Sequence, residues 1–61
     1  MEGSQIRKLR KSLNLTQEQM AEKLKIKKLA VTRWELGERK CRGASKLLIE
    51  VLTKFNLWDQ V

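Results

Sequence analysis

Four side chains with helical spacing carry the chemistry that first stands out in this chain. Lys28, Leu29, Thr32 and Arg33 would share one face of a helix, because residues three and four positions apart are neighbours on a helix surface. Arginine can bond both O6 and N7 of guanine, whereas threonine and leucine can contact the methyl group of thymine. This face therefore has the side chains needed to read base pairs in the major groove of DNA. Arg33 could instead bind a phosphate, and Leu29 could instead cap the local core.

A group of lysines stands at the start of the same face. Lys25, Lys27 and Lys28 would crowd the positive end of a helix dipole, and a lysine cannot cap that end by accepting a hydrogen bond. A DNA phosphate would fill the uncapped helix end and neutralise the lysines. The alternative is a solvated basic turn that frays.

The charge of the chain is basic and unevenly distributed. Lys and Arg number 14 against 7 Asp and Glu, which gives a net charge of +7. Residues 1–46 hold 13 of the basic and 5 of the acidic side chains. A one-sided excess of this kind is typical of nucleic-acid binders, although a surface that happens to be basic would show it too.

Catalysis is hard to build from this composition. The chain has no histidine and one cysteine, so general acid–base chemistry and zinc sites lack their usual residues. We expect no enzyme activity, no cofactor and no metal. Cys41 lies between Lys40 and Arg42, whose charges could lower its pKa and make the thiol prone to oxidation.

The length of 61 residues is enough for one small domain, so residues 1–61 are assigned to a single unit. No apolar run approaches the ~20 residues of a membrane span, and the first residues do not resemble a signal peptide. We expect a cytoplasmic protein, nucleoid-associated when bound to DNA, with no membrane contact and no small-molecule ligand.

The apolar spacing predicts helices throughout, and no segment alternates with the period of a strand. The first helix is predicted from Ser4 to about Ser12. Thr16 and Gln19 fit a capping box that would start the second helix. That helix should turn its apolar side chains inward, namely Met20, Ala21 and Leu24.

The second half of the chain contains two further predicted helices and an apolar tail. The third helix should begin near Lys27 or Lys28, end at Gly37, and bury Val31 and Trp34. The fourth is predicted over residues 43–55, and its broad apolar face comprises Ala44, Leu47, Leu48, Val51, Leu52 and Phe55.

Two segments resemble the Cro/C1-type (XRE-like) helix-turn-helix domains of bacterial and phage regulators. The run LTQEQMAEKL at residues 15–24 is similar to the second helix of that family, and VTRWELG at residues 31–37 is similar to the end of its recognition helix. Residues 6–10 fit the first helix, so the match covers about residues 4–55 with the helix-turn-helix at 16–37. The resemblance implies an all-α, lambda-repressor-like bundle of four to five helices.

The resemblance also implies roles for individual residues. Gln17 would approach a phosphate, and a pair between Arg10 and Glu35 would hold the recognition helix on the first helix. With the lysines of the turn, the expected DNA contacts are Gln17, Lys25, Lys27, Lys28, Leu29, Thr32, Arg33, Lys40 and Arg42. Three positions depart from the family pattern: Lys25 stands where glycine is usual, Lys27 where serine or threonine is usual, and Cys41 where proline is frequent.

These features lead us to expect a sequence-specific regulator of double-stranded DNA, a repressor acting as a homodimer on a palindromic operator. The fourth helix and the tail residues Leu57, Trp58 and Val61 are candidate dimer contacts, although Trp58 could instead close the core. The first alternative is an antitoxin-like or other protein-interaction module whose tail binds a partner protein. The second is non-specific packaging of nucleic acid.

Overall fold

The computed structural model describes residues 1–61 as four α-helices followed by one turn of 3-10 helix. The helices are α1 (Gly3–Ser12), α2 (Gln17–Leu24), α3 (Lys28–Leu36) and α4 (Ala44–Lys54), and the 3-10 turn is Trp58–Gln60. No strand is present. The predicted all-α fold of four to five helices is confirmed.

Capping by side chains fixes where the first two helices begin. The Gln19 amide N–H donates to Thr16 Oγ1 over 3.1 Å, and the Thr16 N–H donates to Gln19 Oε1 over 2.9 Å. This is the predicted capping box, and it starts α2. A second box, between Glu2 and Gln5, starts α1 one residue earlier than predicted.

Left-handed residues end the helices. Gly37 ends α3 with φ of 78°, as its sequence position predicts. Asn14, Lys25 and Asn56 also have positive φ, of 58°, 60° and 52°. Asparagine tolerates this region, whereas lysine is strained there. The steric cost expected where Lys25 replaces glycine is therefore present in the structure.

One apolar core lies between the helices. α2 packs against α3 and α4, and α1 packs against α3. Met20, Ala21, Val31 and Trp34 are all buried, as predicted for the inward faces of α2 and α3. The full set of buried residues is Ile6, Met20, Ala21, Leu24, Val31, Trp34, Cys41, Ile49, Leu52 and Trp58.

Most of the apolar face of α4 points into solvent. Only Leu52 of the residues assigned to that face is buried, and the second buried residue of α4 is Ile49, which the sequence reading did not single out. Among the outward residues, Leu47 and Phe55 are each 61% exposed. The exposed apolar surface of α4, which we call the α4 face, comprises Leu47, Leu48, Val51 and Phe55.

Trp58 closes the core, so its assignment as a dimer contact is corrected. Its side chain is 3% exposed, and its indole N–H donates to Thr53 Oγ1 over 3.2 Å. Lys23 Nζ donates to the Trp58 carbonyl oxygen over 2.9 Å, which fastens the tail to α2. The 3-10 turn directs Trp58 inward and leaves Leu57 and Val61 exposed.

None of the helices combines the length and apolar character that crossing a membrane requires.

Candidate nucleic-acid interface

The third helix is anchored on its inner side. Val31 and Trp34 are buried beneath it, and Ala21 on α2 is small enough to let the two helices pack closely. Lys28 and Leu29 are exposed, and Thr32 and Arg33 are half-buried. The face that the spacing predicts is therefore turned outward on a helix whose other side is fixed in the core.

Arg10 and Glu35 form the ion pair that the resemblance implies. Arg10 Nε donates to Glu35 Oε2 over 2.7 Å, and its terminal nitrogen donates to Glu35 Oε1 over 3.1 Å. The guanidinium also donates to the carbonyl oxygen of Leu15 over 3.0 Å. Both partners are largely buried, with side chains 13% and 5% exposed. The pair therefore joins α1, the loop before α2, and α3.

The surroundings of this pair favour its charged form. Burial acts to raise the pKa of the Glu35 carboxyl, but hydrogen bonds from Arg10 and Gln17, with the charges of Arg10 and Arg7, outweigh it. The pKa of Glu35 is consequently below its ordinary value. The hydrogen bond to Glu35 raises the pKa of Arg10.

Gln17 extends this network to the outer face of α3. Its Nε2 donates to Glu35 Oε1 over 3.2 Å, and its Oε1 accepts from the Thr32 hydroxyl over 2.9 Å. The same hydroxyl lies 3.2 Å from the carbonyl oxygen of Lys28. Thr32 has one hydroxyl proton, so these two acceptors share it. We call the connected side chains of Arg10, Glu35, Gln17 and Thr32 the interhelical network.

A basic groove of about 890 Å³ runs between α3 and the loop that follows it. Leu29 and Arg33 line it from the helix, and Lys40 and Arg42 line it from the loop. The single ion pair of the chain is Arg10 with Glu35, so the cations of the groove have no carboxylate partner within the chain. The residues that line the basic groove are Lys27, Leu29, Ala30, Arg33, Trp34, Glu38, Arg39, Lys40, Arg42 and Ser45.

Cys41 holds the loop of this groove in place. Its side chain is fully buried, whereas Lys40 and Arg42 on either side are exposed. Its carbonyl oxygen accepts a hydrogen bond of 3.1 Å from the amino terminus at Met1. Burial acts to raise the pKa of the Cys41 thiol and outweighs the positive charges of the amino terminus and Lys46, which act to lower it. The pKa of Cys41 is therefore above its ordinary value. The expectation of an oxidation-prone thiol is therefore wrong, because Cys41 points into the core.

The structure brings together some of the predicted contact residues and separates others. Lys27, Leu29, Arg33, Lys40 and Arg42 line one groove, and the interhelical network places Gln17 beside Thr32. Lys28 is exposed at the first turn of α3. Lys25 stands apart from the groove, beside a separate hollow lined by Leu15, Gln19, Glu22, Lys23 and Val61.

Arg39 is a groove residue that sequence reasoning missed. Its backbone N–H donates to the carbonyl oxygen of Arg33 over 3.3 Å, next to a bond of 3.0 Å from Glu38 N–H to the same oxygen. These bonds fold the start of the loop back onto the end of α3. The basic run around Lys40 was the available signal.

Comparison with models of protein families matches residues 6–41 to a helix-turn-helix family of the Cro/C1 type. The matched segment is more than half of the chain and runs from α1 into the loop that follows α3. The chain belongs to the Cro/C1-type helix-turn-helix family. No curated protein and no solved structure matched it.

This helix-turn-helix protein is a DNA-binding regulator of the XRE type. The two helices of the matched motif correspond to α2 and α3, and the family match supports binding to double-stranded DNA. The outward face of α3 and the basic groove are thus the parts of the molecule with the shape and charge for that contact.

Proposed function

We propose that this chain is a sequence-specific transcriptional repressor that binds a palindromic operator as a homodimer. The observation that supports it most is the fixed orientation of α3, whose inner side is buried while the interhelical network holds its outer side. A preorganised helix places Arg33 and its neighbours against base edges without a large ordering cost on binding. Bound at a promoter, the protein acts by blocking polymerase.

In this proposal Arg33 recognises a DNA base, and the lysines bind the phosphates of the DNA backbone. Arg33 is half-buried and free of any ion pair, so its guanidinium remains available for the two acceptors of guanine. Replacing Arg33 with Ala should weaken operator binding by ~1–3 kcal/mol and relax the preference at one base pair. An equal loss on all sequences would reassign Arg33 to a phosphate.

The proposed phosphate contacts come from the start of α3 and from the loop. Lys27 adopts the cap position of α3 without a capping hydrogen bond, and Lys28 follows it. Lys40 and Arg42 line the basic groove from the loop that follows α3. Lys28→Ala should weaken binding to all sequences about equally and reduce the salt slope by about one unit. A loss confined to one base pair would contradict a phosphate role for Lys28.

The main experiment is selection of binding sites from a random oligonucleotide pool. A sequence-specific regulator should prefer its selected site over random DNA by ~10³-fold or more, and palindromic half-sites should emerge about one helical turn apart. Equal affinity for random and selected DNA would instead support non-specific packaging. Placed at a reporter promoter, the selected site should lower transcription, and increased transcription would contradict repression.

The α4 face is the proposed dimer interface, with a second copy of this chain as its occupant. Leu47 and Phe55 are its most exposed side chains, and an apolar groove continues from them to Leu9 on α1. Residues 47–61 carry one basic and two acidic side chains, whereas the rest of the chain is strongly basic. Two copies can therefore approach through this face with little charge repulsion.

The dimer is tested by Phe55→Glu. Phe55 is 61% exposed, so the substitution should leave the monomer folded while sedimentation shows loss of the dimer and operator binding weakens. Lys46→Gln is a matched control, because it makes the same charge change at an exposed α4 position nine residues away, about two and a half turns, and so on the opposite side of the helix. Unchanged sedimentation of Phe55→Glu would place the dimer contact elsewhere.

The tail distinguishes this proposal from a protein-interaction module. Removing residues 57–61 would also remove Trp58 from the core, so substitution of the exposed residues is the cleaner experiment. If Leu57 and Val61 contribute to the dimer, replacing both with Ser should weaken operator binding. Intact operator binding by that variant would favour the antitoxin-like alternative, in which the tail serves a partner protein.

A further inference from the structure

Leu29 is an apolar side chain on the outer face of α3 that does not pack against the core. It is 54% exposed. The partly buried apolar residues that pack on the core include its neighbours Ile26 and Ala30 but not Leu29 itself. Of the two roles that the sequence left open for Leu29, capping the local core is therefore excluded.

The position of Leu29 determines what it can meet in a complex with DNA. It lies in the first turn of α3 and lines the basic groove together with Arg33, one helical turn further on. The N-terminal residues of a recognition helix are those that contact base edges. Lys27 and Lys28 precede it in the chain, and both are exposed.

We propose that Leu29 is a specificity-determining residue that recognises the C5-methyl group of a thymine in the operator. This inference rests on the proposed function, since it requires α3 to occupy the major groove. Thymine is the base that presents an apolar group there, and apolar side chains contact it. Cytosine carries the same group only when it is methylated, and the random oligonucleotide pool from which binding sites are selected is unmodified DNA.

Leu29 also discriminates against G·C pairs at that position. Guanine O6 and N7 and the cytosine amino group would lose water on contact with leucine and gain no hydrogen bond in return. Thr32 does not offset this loss as a donor, because Gln17 Oε1 and the Lys28 carbonyl share its single hydroxyl proton. The first turn of α3 therefore selects thymine in two ways. Leu29 contacts the methyl group of thymine, and it leaves the polar atoms of a G·C pair without hydrogen-bond partners.

The spacing of Leu29 and Arg33 predicts where the thymine lies. One helical turn advances ~5.4 Å, and base pairs in a duplex are ~3.4 Å apart. The methyl-dependent thymine should therefore fall within about two base pairs of the guanine whose recognition is lost in Arg33→Ala.

The test removes one methyl group at a time from the selected operator. Each thymine is replaced by deoxyuridine, and affinity is measured for the unaltered protein, Leu29→Ala and Leu36→Ala. Leu36 is a matched control because it is an exposed leucine, 67% accessible, at the opposite end of α3. The unaltered protein and Leu36→Ala should lose about fourfold affinity at one thymine per half-site, the effect of burying one methyl group, whereas Leu29→Ala should lose nothing further there.

The outcomes separate this inference from the function on which it rests. Selection that enriches no site overturns the proposed function, and the inference with it. An enriched site whose affinity is insensitive to every thymine methyl overturns the inference alone. The same holds if Leu29→Ala retains the full deoxyuridine effect, or if Leu36→Ala abolishes it. Thermal unfolding of each variant verifies that the altered proteins are folded.

Discussion

Glu35 connects three parts of the molecule through one carboxylate, since it accepts hydrogen bonds from Arg10 and Gln17 and belongs to α3. Glu35→Gln removes the charge and leaves the Arg10 guanidinium largely buried without its partner. We expect the free energy of unfolding to fall by about 2 kcal/mol, the scale of a hydrogen bond to a charged group. Urea denaturation measures it, and Glu22→Gln on the exposed side of α2 is the control, expected within about 0.5 kcal/mol.

The same carboxylate makes stability dependent on acid. Because the pKa of Glu35 is lowered in the fold, its contribution is present above the ordinary glutamate pKa of about 4.3 and is lost as pH falls through the lower folded value. Stability of the unaltered protein should therefore drop more steeply below about pH 4 than that of Glu35→Gln. Parallel pH profiles for the two proteins would show that Glu35 is not the responsible group.

Lys25 holds a backbone conformation that its side chain disfavours, with φ of 60° and ψ of 40°. Lys25→Gly should stabilise the protein by roughly 1 kcal/mol by relieving this strain. Lys25→Ala removes the charge but keeps the strain, so it should give no comparable gain. Thermal unfolding compares the two variants, and equal stability would mean that strain at this position is negligible. Comparing their DNA affinities with that of the unaltered protein tests whether Lys25 contacts phosphate.

At the scale of elements, the approach of α1 to α3 depends on the absence of a side chain at Gly3. A Cβ there would overlap the carbonyl oxygen of Trp34 and crowd Glu35. Gly3→Ala should therefore destabilise the fold by about 1–3 kcal/mol although alanine favours helices. Ser4→Ala, at an exposed neighbouring position, should have little effect in the same denaturation experiment. A gain in stability for Gly3→Ala would mean that α1 can shift without cost.

The helices themselves were largely predictable, whereas the orientation of α4 and the tail was not. The capping box at Thr16 and the left-handed Gly37 are local signals, and both bounded a helix as expected. α4 is apolar around much of its circumference, so periodicity alone could not identify Ile49 and Leu52 as its buried residues. The burial of Trp58 depends on a turn after Asn56, which no spacing rule predicts.

The candidate interface shows the same limit. The outward face of α3 followed from helical spacing and from the burial of Val31 and Trp34. The participation of Arg39 depends on how the loop folds back onto Arg33, and the separation of Lys25 from the groove depends on the direction of the turn. Both are tertiary properties of short irregular segments, which composition cannot specify.

For the whole molecule, a net charge of +7 on 61 residues has opposite effects on folding and on binding. Added salt should stabilise the free protein, because screening relieves the repulsion among its cations. It should weaken DNA binding by roughly 10³-fold between 50 and 200 mM if about six phosphates are contacted. Thermal unfolding and fluorescence anisotropy in the same salt series measure both effects, and a salt-independent affinity would contradict phosphate contact by the basic groove.

The amide of Gln17 has one consequence for the whole complex. One of its hydrogens is engaged by Glu35 and its oxygen by Thr32, so a single hydrogen remains to donate outside the protein. If that hydrogen binds a phosphate of the DNA strand, Gln17 couples the position of the phosphate to the position of α3 in the major groove. A shift of either one would then strain the other. The contacts to the DNA backbone and the contacts to the bases would then be made or lost together. This coupling penalises binding that is displaced by one base pair from the correct register.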